Sequence, residues 1–191
     1  MAMSDTSIGP DPDGGWSREW VTVANARVYP PEISALVQPC GVVDAKGEYC
    51  GHSATWRGRR PMMTPPENPV EPVATLAGRH LFAGQLWAHF GHFMVESLAR
   101  LWAFSETKPE SIVFIPKRPA AAAALKGYQR DFFELLGIDV PITILTGPRI
   151  VEELIVTGQG LGLGPIDRGT PEIHEFFHTG FAKDVEPDGP K

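Results

Sequence analysis

The sequence is poor in cysteine, short of positive charge and without a long apolar run, and each shortage removes a class of function. Only two cysteines occur in 191 residues, Cys40 and Cys50. Neither lies in a C-x-x-C motif, which argues against a thiolate zinc site or a dithiol redox site. A hairpin could bring them face to face, but two small buried thiols in a reducing cytosol are expected. Lysine and arginine total 17 against 23 aspartates and glutamates, a net charge of −6. No nucleic-acid partner is expected, because such proteins carry a basic footprint; adhesion to an anionic membrane is disfavoured for the same reason. No apolar stretch approaches the roughly 18 residues of a membrane span, so no transmembrane segment is expected. Residues 1–15 lack the basic-then-apolar pattern of an export signal. A cytoplasmic chain is expected, free or at the inner face of the membrane.

What is present suits a globular protein with a real core: 42% hydrophobic and 21% charged residues. The length fits one domain, or one and a half. The 19 prolines cluster in residues 10–12, 30–39 and 61–72 and again after 165, which marks the first third as rich in loops. The expected organisation is a disordered leader over 1–15, a β-rich segment over 16–74, a Rossmann-like α/β domain over 75–180 and a polar tail over 181–191.

In chain order, Trp20 to Tyr29 alternates as a strand and Pro30-Pro31 stops it. Gly41 to Cys50 reads as a hairpin turning at Asp44-Ala45-Lys46-Gly47, with Gly47 suited to a left-handed position. Arg57, Arg59 and Arg60 form a small basic knot, expected to be a solvated turn, with an anion-contacting loop as the alternative. Arg79–Leu86, Ser111–Pro116, Ile142–Leu145 and Leu154–Thr157 are expected strands. A helix is expected from Pro119 through the alanines 120–124 to Leu136, ended by Gly137. Strands alternating with helices on short connections predict parallel pairing in a Rossmann-like sheet. The glycines of Gly158-Gln-Gly-Leu-Gly-Leu-Gly164 recur at every second position, unlike a nucleotide-binding loop; a flexible connector is expected. Glu172 to Phe181 predicts a short helix with His174 and His178 four residues apart beside Glu175, read as an exposed pair.

The chain is organised around His89 to Glu106. At about 100° per residue, Phe90, Phe93, Met94, Ser97, Leu98, Leu101 and Phe104 share one apolar helical face. His89, His92, Glu96 and Arg100 form a column on the other side. That column allows a solvated face paired at four-residue spacing, a metal site from His89, His92 and Glu96, or a ligand or catalytic site. In the last reading a carboxylate one turn from an imidazole orients it as a general base, and Arg100 pairs with Glu96 or binds an anion.

Gly91-His-Phe-Met-Val-Glu-Ser-Leu-Ala-Arg-Leu-Trp102 resembles the signature helix of glycosyltransferase family 61, through His92, Glu96, Leu98, Arg100 and Leu101. Similarity continues through Ser111–Pro116, Tyr128–Ile138 and Glu153–Val156. The resemblance implies a two-domain GT-B fold, inverting transfer from a nucleotide-sugar donor to a glycan or lipid-linked acceptor in surface-polysaccharide synthesis, and no cofactor or essential metal. It implies His92 as base or acceptor contact, Glu96 as its orienting partner and Arg100 as a structural or anion-binding partner; with His89 of the same column, Arg100 is expected on the substrate-binding side of the catalytic pair His92 and Glu96. Family members continue into a second Rossmann-like half, so the chain resembles the N-terminal, acceptor-side half, completed by a C-terminal partner domain or subunit. The alternatives are a non-catalytic carbohydrate-binding or subunit-interaction module derived from such an enzyme, and a metal-dependent hydrolase built on His89, His92 and Glu96.

Overall fold

Apolar side chains that alternate with period two decide the layers of this chain. The computed structural model describes residues 16–119, 124–164 and 169–181. Six strands form one sheet: β1 (Trp20–Tyr29), β2 (Gly41–Val43), β3 (Thr75–Leu86), β4 (Ser111–Pro116), β5 (Ile142–Ile144) and β6 (Arg149–Thr157). Their order across the sheet is β2-β1-β6-β3-β4-β5. Strands β6, β3, β4 and β5 run parallel, whereas β1 is antiparallel to both β6 and β2. The chain is therefore α/β, with a mostly parallel six-stranded sheet flanked by helices.

On β4, Ile112 and Phe114 face one layer while Val113 and Ile115 face the other; on β6, Ile155 opposes Leu154 and Val156. The first layer is helical. Residues 90–107, helix α1 (Gly127–Leu135) and helix α2 (Pro171–Phe181) cover it with Phe93, Leu98, Trp102, Phe133 and Phe176. The second layer comes from loops and short strands between residues 38 and 64, which set Cys40, Cys50 and Met63 against the sheet. Each such side chain stabilises the fold by about 1.5–3 kcal/mol when fully buried. Both cysteines are free and buried, and burial pushes the Cys40 thiol up to about 12.

Segment 16–74 supplies two of the six strands, with β1 laddered to β6 from Trp20 to Val28. The hairpin turns where expected, with Gly47 at φ +88° and Asp44 Oδ1 accepting from the Lys46 and Glu48 N–H groups. Strands β3 and β6 begin earlier than the sequence predicts, at Thr75 and Arg149. Of the predicted alanine helix, residues 120–123 lie outside the described residues; α1 begins at Gly127, where the Lys126 N–H donates to Gln129 Oε1 at 2.8 Å. The leader 1–15 and the tail from 182 also lie outside them. Among the described residues no helix is long and apolar enough to cross a membrane.

The expected helix from His89 to Glu106 is broken into four short turns. Phe90–His92 is α-helical and Phe93–Ser97 is a π-turn, closed by the Leu98 N–H donating to Phe93 O five residues back at 3.2 Å. Leu101–Ala103 is a 3₁₀ turn and Phe104–Thr107 is α-helical. Lys108, left-handed at φ 45°, ends the series before Pro109. Side-chain bonds to the main chain compete with the helix ladder here. Ser97 Oγ donates to Gln85 O and accepts from the Trp87 N–H, both at 2.9 Å, which anchors the π-turn to the end of β3.

Candidate functional site

Parallel strands β3 and β4 end side by side, and the residues just past their carboxyl ends, Trp87 and Lys117, meet there. The Lys117 N–H donates to Leu86 O at 3.2 Å, and the Lys117 ammonium lies 5.0 Å from the Trp87 ring centre. The imidazole of His92 stacks on the same indole, with centroids 4.3 Å apart and planes inclined by 23°. His92 Nδ1 stands 2.7 Å from Glu96 Oε2. Arg57 closes the group: its Nε donates to Glu96 Oε1 at 2.9 Å and its Nη2 to Glu96 Oε2 at 3.0 Å, while its guanidinium carbon lies 5.3 Å from the Trp87 ring centre. The Glu96 side chain is 1% exposed, against 30% for His92 and 23% for Arg57. A carboxylate is thus held inside by a guanidinium, and the imidazole above it reaches solvent.

The proton on His92 can be placed. Nδ1 also approaches Arg57 Nη2, at 3.3 Å, but an arginine nitrogen only donates and a carboxylate only accepts. The shorter contact to Glu96 requires hydrogen on Nδ1. In the neutral ring Nε2 then keeps its lone pair, the tautomer a general base needs.

Arg57 is held by the glycine-rich stretch that follows β6. Gln159 Oε1 accepts from the Trp56 N–H at 2.8 Å, and Gln159 Nε2 donates to Trp56 O at 3.2 Å. The Gly58 N–H donates to Leu163 O at 2.9 Å. Trp56–Arg57 pairs with Arg60–Pro61 across a two-residue turn, and its first turn residue, Gly58, has φ +57°, which glycine adopts without strain. Arg57 therefore leaves the solvated knot the sequence predicts, while Arg59 and Arg60 remain exposed. The predicted flexible connector is instead packed. Gly158, Gln159 and Gly160 are buried, and the N–H groups of Gly158 and Gly160 donate to Glu19 O and Ala99 O. Those amides are spent and cannot cradle a phosphate.

Arg100 does not join the column. It is 1% exposed and turned into the fold, where Nη1 donates to His52 O and Thr157 O and Nη2 to Ala54 O. The π-turn inserts an extra residue and the 3₁₀ turn follows, so four-residue spacing fails between Glu96 and Arg100. Gly84, at φ +81°, leaves room for the side chain: a Cβ there would stand 3.2 Å from Arg100 Nε. Burial lowers the guanidinium to about 10. Of the structural and anion-binding roles expected of Arg100, its contacts are those of the structural one.

His89 is exposed, its ring edge-on to His92 with centroids 5.3 Å apart. The structure therefore brings together His89, His92 and Glu96 and separates Arg100. It adds Arg57, Trp87 and Lys117, which sequence spacing did not single out for the site. Arg57 occupies both carboxylate oxygens, which places a positive group where the metal reading needs a cation. Among the described residues no three His, Cys, Asp or Glu side chains form a metal-holding group, and His174 and His178 lie exposed on α2. Comparison of the chain with protein-family models, with curated proteins and with solved structures finds no match.

Proposed function

We propose that this chain is the acceptor-side half of a GT-B-type glycosyltransferase, transferring a sugar from a nucleotide-sugar donor to a hydroxyl of a glycan or lipid-linked acceptor. The observation that carries the reading is the 2.7 Å contact between His92 Nδ1 and a Glu96 carboxylate pinned from behind by Arg57. In this reading His92 Nε2 takes the acceptor's hydroxyl proton as the oxygen bonds to the anomeric carbon. The bond from that carbon to the nucleotide diphosphate breaks, and the leaving group departs with the electron pair. Displacement in one step inverts the anomeric centre. Glu96 orients the imidazole and stabilises the imidazolium that forms. Trp87 fixes the ring plane by stacking, and His89 lies at the solvent side where an acceptor arrives. A C-terminal half or partner subunit supplies the rest of the donor site, and the work is done in the cytoplasm.

The test is transfer from a panel of UDP- and GDP-sugars, by this chain alone and with the product of the adjacent reading frame. Transfer lost in His92→Ala and Glu96→Gln, with folding unchanged by circular dichroism, supports the assignment. Transfer undiminished by those changes rejects the roles; no transfer by either preparation rejects the enzyme reading.

A further inference from the structure

The cluster around Trp87 holds more positive charge than its single carboxylate can balance. Arg57 and Lys117 approach one indole to 5.3 and 5.0 Å. Among the described residues Glu96 is the one carboxylate bonded there, and both of its oxygens are taken by Arg57, one also by His92. Lys117 pairs with no carboxylate among the described residues, although the residue is only 7% exposed. Its ammonium can donate three hydrogen bonds and makes one, to Leu36 O at 3.0 Å. Two more donors stand idle among the described residues: the buried Trp87 Nε1, which has no acceptor, and Arg57 Nη1, since Arg57 bonds through Nε and Nη2. Burial pushes the Lys117 ammonium below its ordinary value; the like charge of Arg57 adds to the effect, and Cys40 and Glu96 oppose it without cancelling it. A buried cation without a counter-ion is costly, and a bound anion would relieve it. The place also fits, because ligands of open α/β sheets sit outside the carboxyl ends of the strands.

We infer that Arg57, Lys117 and Trp87 form a subsite for a diphosphate oxyanion, beside the His92–Glu96 pair. Arg57 and Lys117 share its charge and Trp87 Nε1 supplies a neutral donor. The inference deepens the transfer reading, because a diphosphate here belongs either to the nucleotide leaving group or to a lipid diphosphate carrying the acceptor. It needs no turnover to be tested, so its failure and the failure of the transfer reading are separable.

Isothermal titration of the full chain with inorganic pyrophosphate is the direct experiment. One saturating site is expected, weakened at least about tenfold in Lys117→Met and kept within about threefold in Lys117→Arg. Arg59→Ala, which removes an exposed charge from the same hairpin, should leave the affinity unchanged. Titrations with UDP and with a short-chain prenyl diphosphate distinguish the sources: tighter binding of the first assigns the group to the donor, of the second to the acceptor. Should Lys117→Met fail to fold, loss of the pyrophosphate-induced shift of the Trp87 indole N–H resonance in Lys117→Gln takes its place. The inference is overturned by absence of saturable binding, by equal affinity in wild type and Lys117→Met, or by equal weakening in Arg59→Ala.

Discussion

Two buried or half-buried arginines divide this molecule between scaffold and site. Arg100 is enclosed and bonded to carbonyls from two segments, His52–Ala54 and the end of β6. Arg57 is 23% exposed and bonded to a carboxylate. A guanidinium that meets only carbonyls ties segments together and holds no ionisable side chain by a hydrogen bond. One that meets a carboxylate beside an imidazole fixes ionisable groups in a chosen geometry. The same side chain ties main-chain segments in one place and orients ionisable groups in the other.

The largest effect expected from this contrast is on folding. Arg100→Met strands three carbonyls and should cost about 3–5 kcal/mol, against about 2 kcal/mol for Arg57→Met, in urea denaturation. Equal costs would erase the distinction. On the chemical side, Glu96→Gln should lower transfer about 10²–10⁴-fold, because an amide no longer fixes hydrogen on Nδ1, at a stability cost like that of Arg57→Met, since both break one ion pair. Nitrogen-15 NMR of His92 should show the Nδ1-protonated tautomer in the parent and a mixture in the variant.

Gln159→Ala tests whether the clamp serves Arg57. It should cost about 1–3 kcal/mol from the freed Trp56 main chain, and the His92 tautomer should become mixed as it does in Glu96→Gln. An unchanged tautomer would reduce Gln159 to packing. Smaller again is a pH effect at the Arg100 post. His52 lies below its ordinary 6.5 through burial, and secondarily through Arg100. Folded His52 therefore resists the proton that the unfolded chain accepts. Its contribution to stability is whole above about 6.5 and declines as the pH falls below it. His52→Gln should flatten that decline in thermal melts taken from pH 7 to 5.

Much of the fold was legible because alternation and turn chemistry are local. The bounds of β1 and β4 and the turn at Gly47 agree with the sequence reading. The pairing of His92 with Glu96 was legible too, since four-residue spacing brings them together even where the α-turn gives way to the π-turn. Arg100 was misread because a period of 100° per residue presumes an unbroken helix. The pairing of Arg57 with Glu96 was not legible, because the two lie 39 residues apart and the position of Arg57 depends on Gln159, 103 residues from Trp56. Such contacts leave no periodic mark. The clamp around Gly158–Gly160 was misread for a related reason: glycines look alike whether they loosen a loop or let it pack.

Counting residues against turns gives the π-turn a further meaning. Between Phe93 and Leu98 the backbone spends five residues where an α-turn spends four. Deleting one residue from Phe93–Ser97 would close an α-turn in place of the π-turn and leave the downstream phase unchanged. Arg100 would keep its three carbonyls, and Leu101 and Trp102 their core positions. An added residue has no such turn to absorb it and would swing the downstream side chains by about 100°. Libraries that shorten this segment by one residue should yield folded proteins, and libraries that lengthen it by one should not.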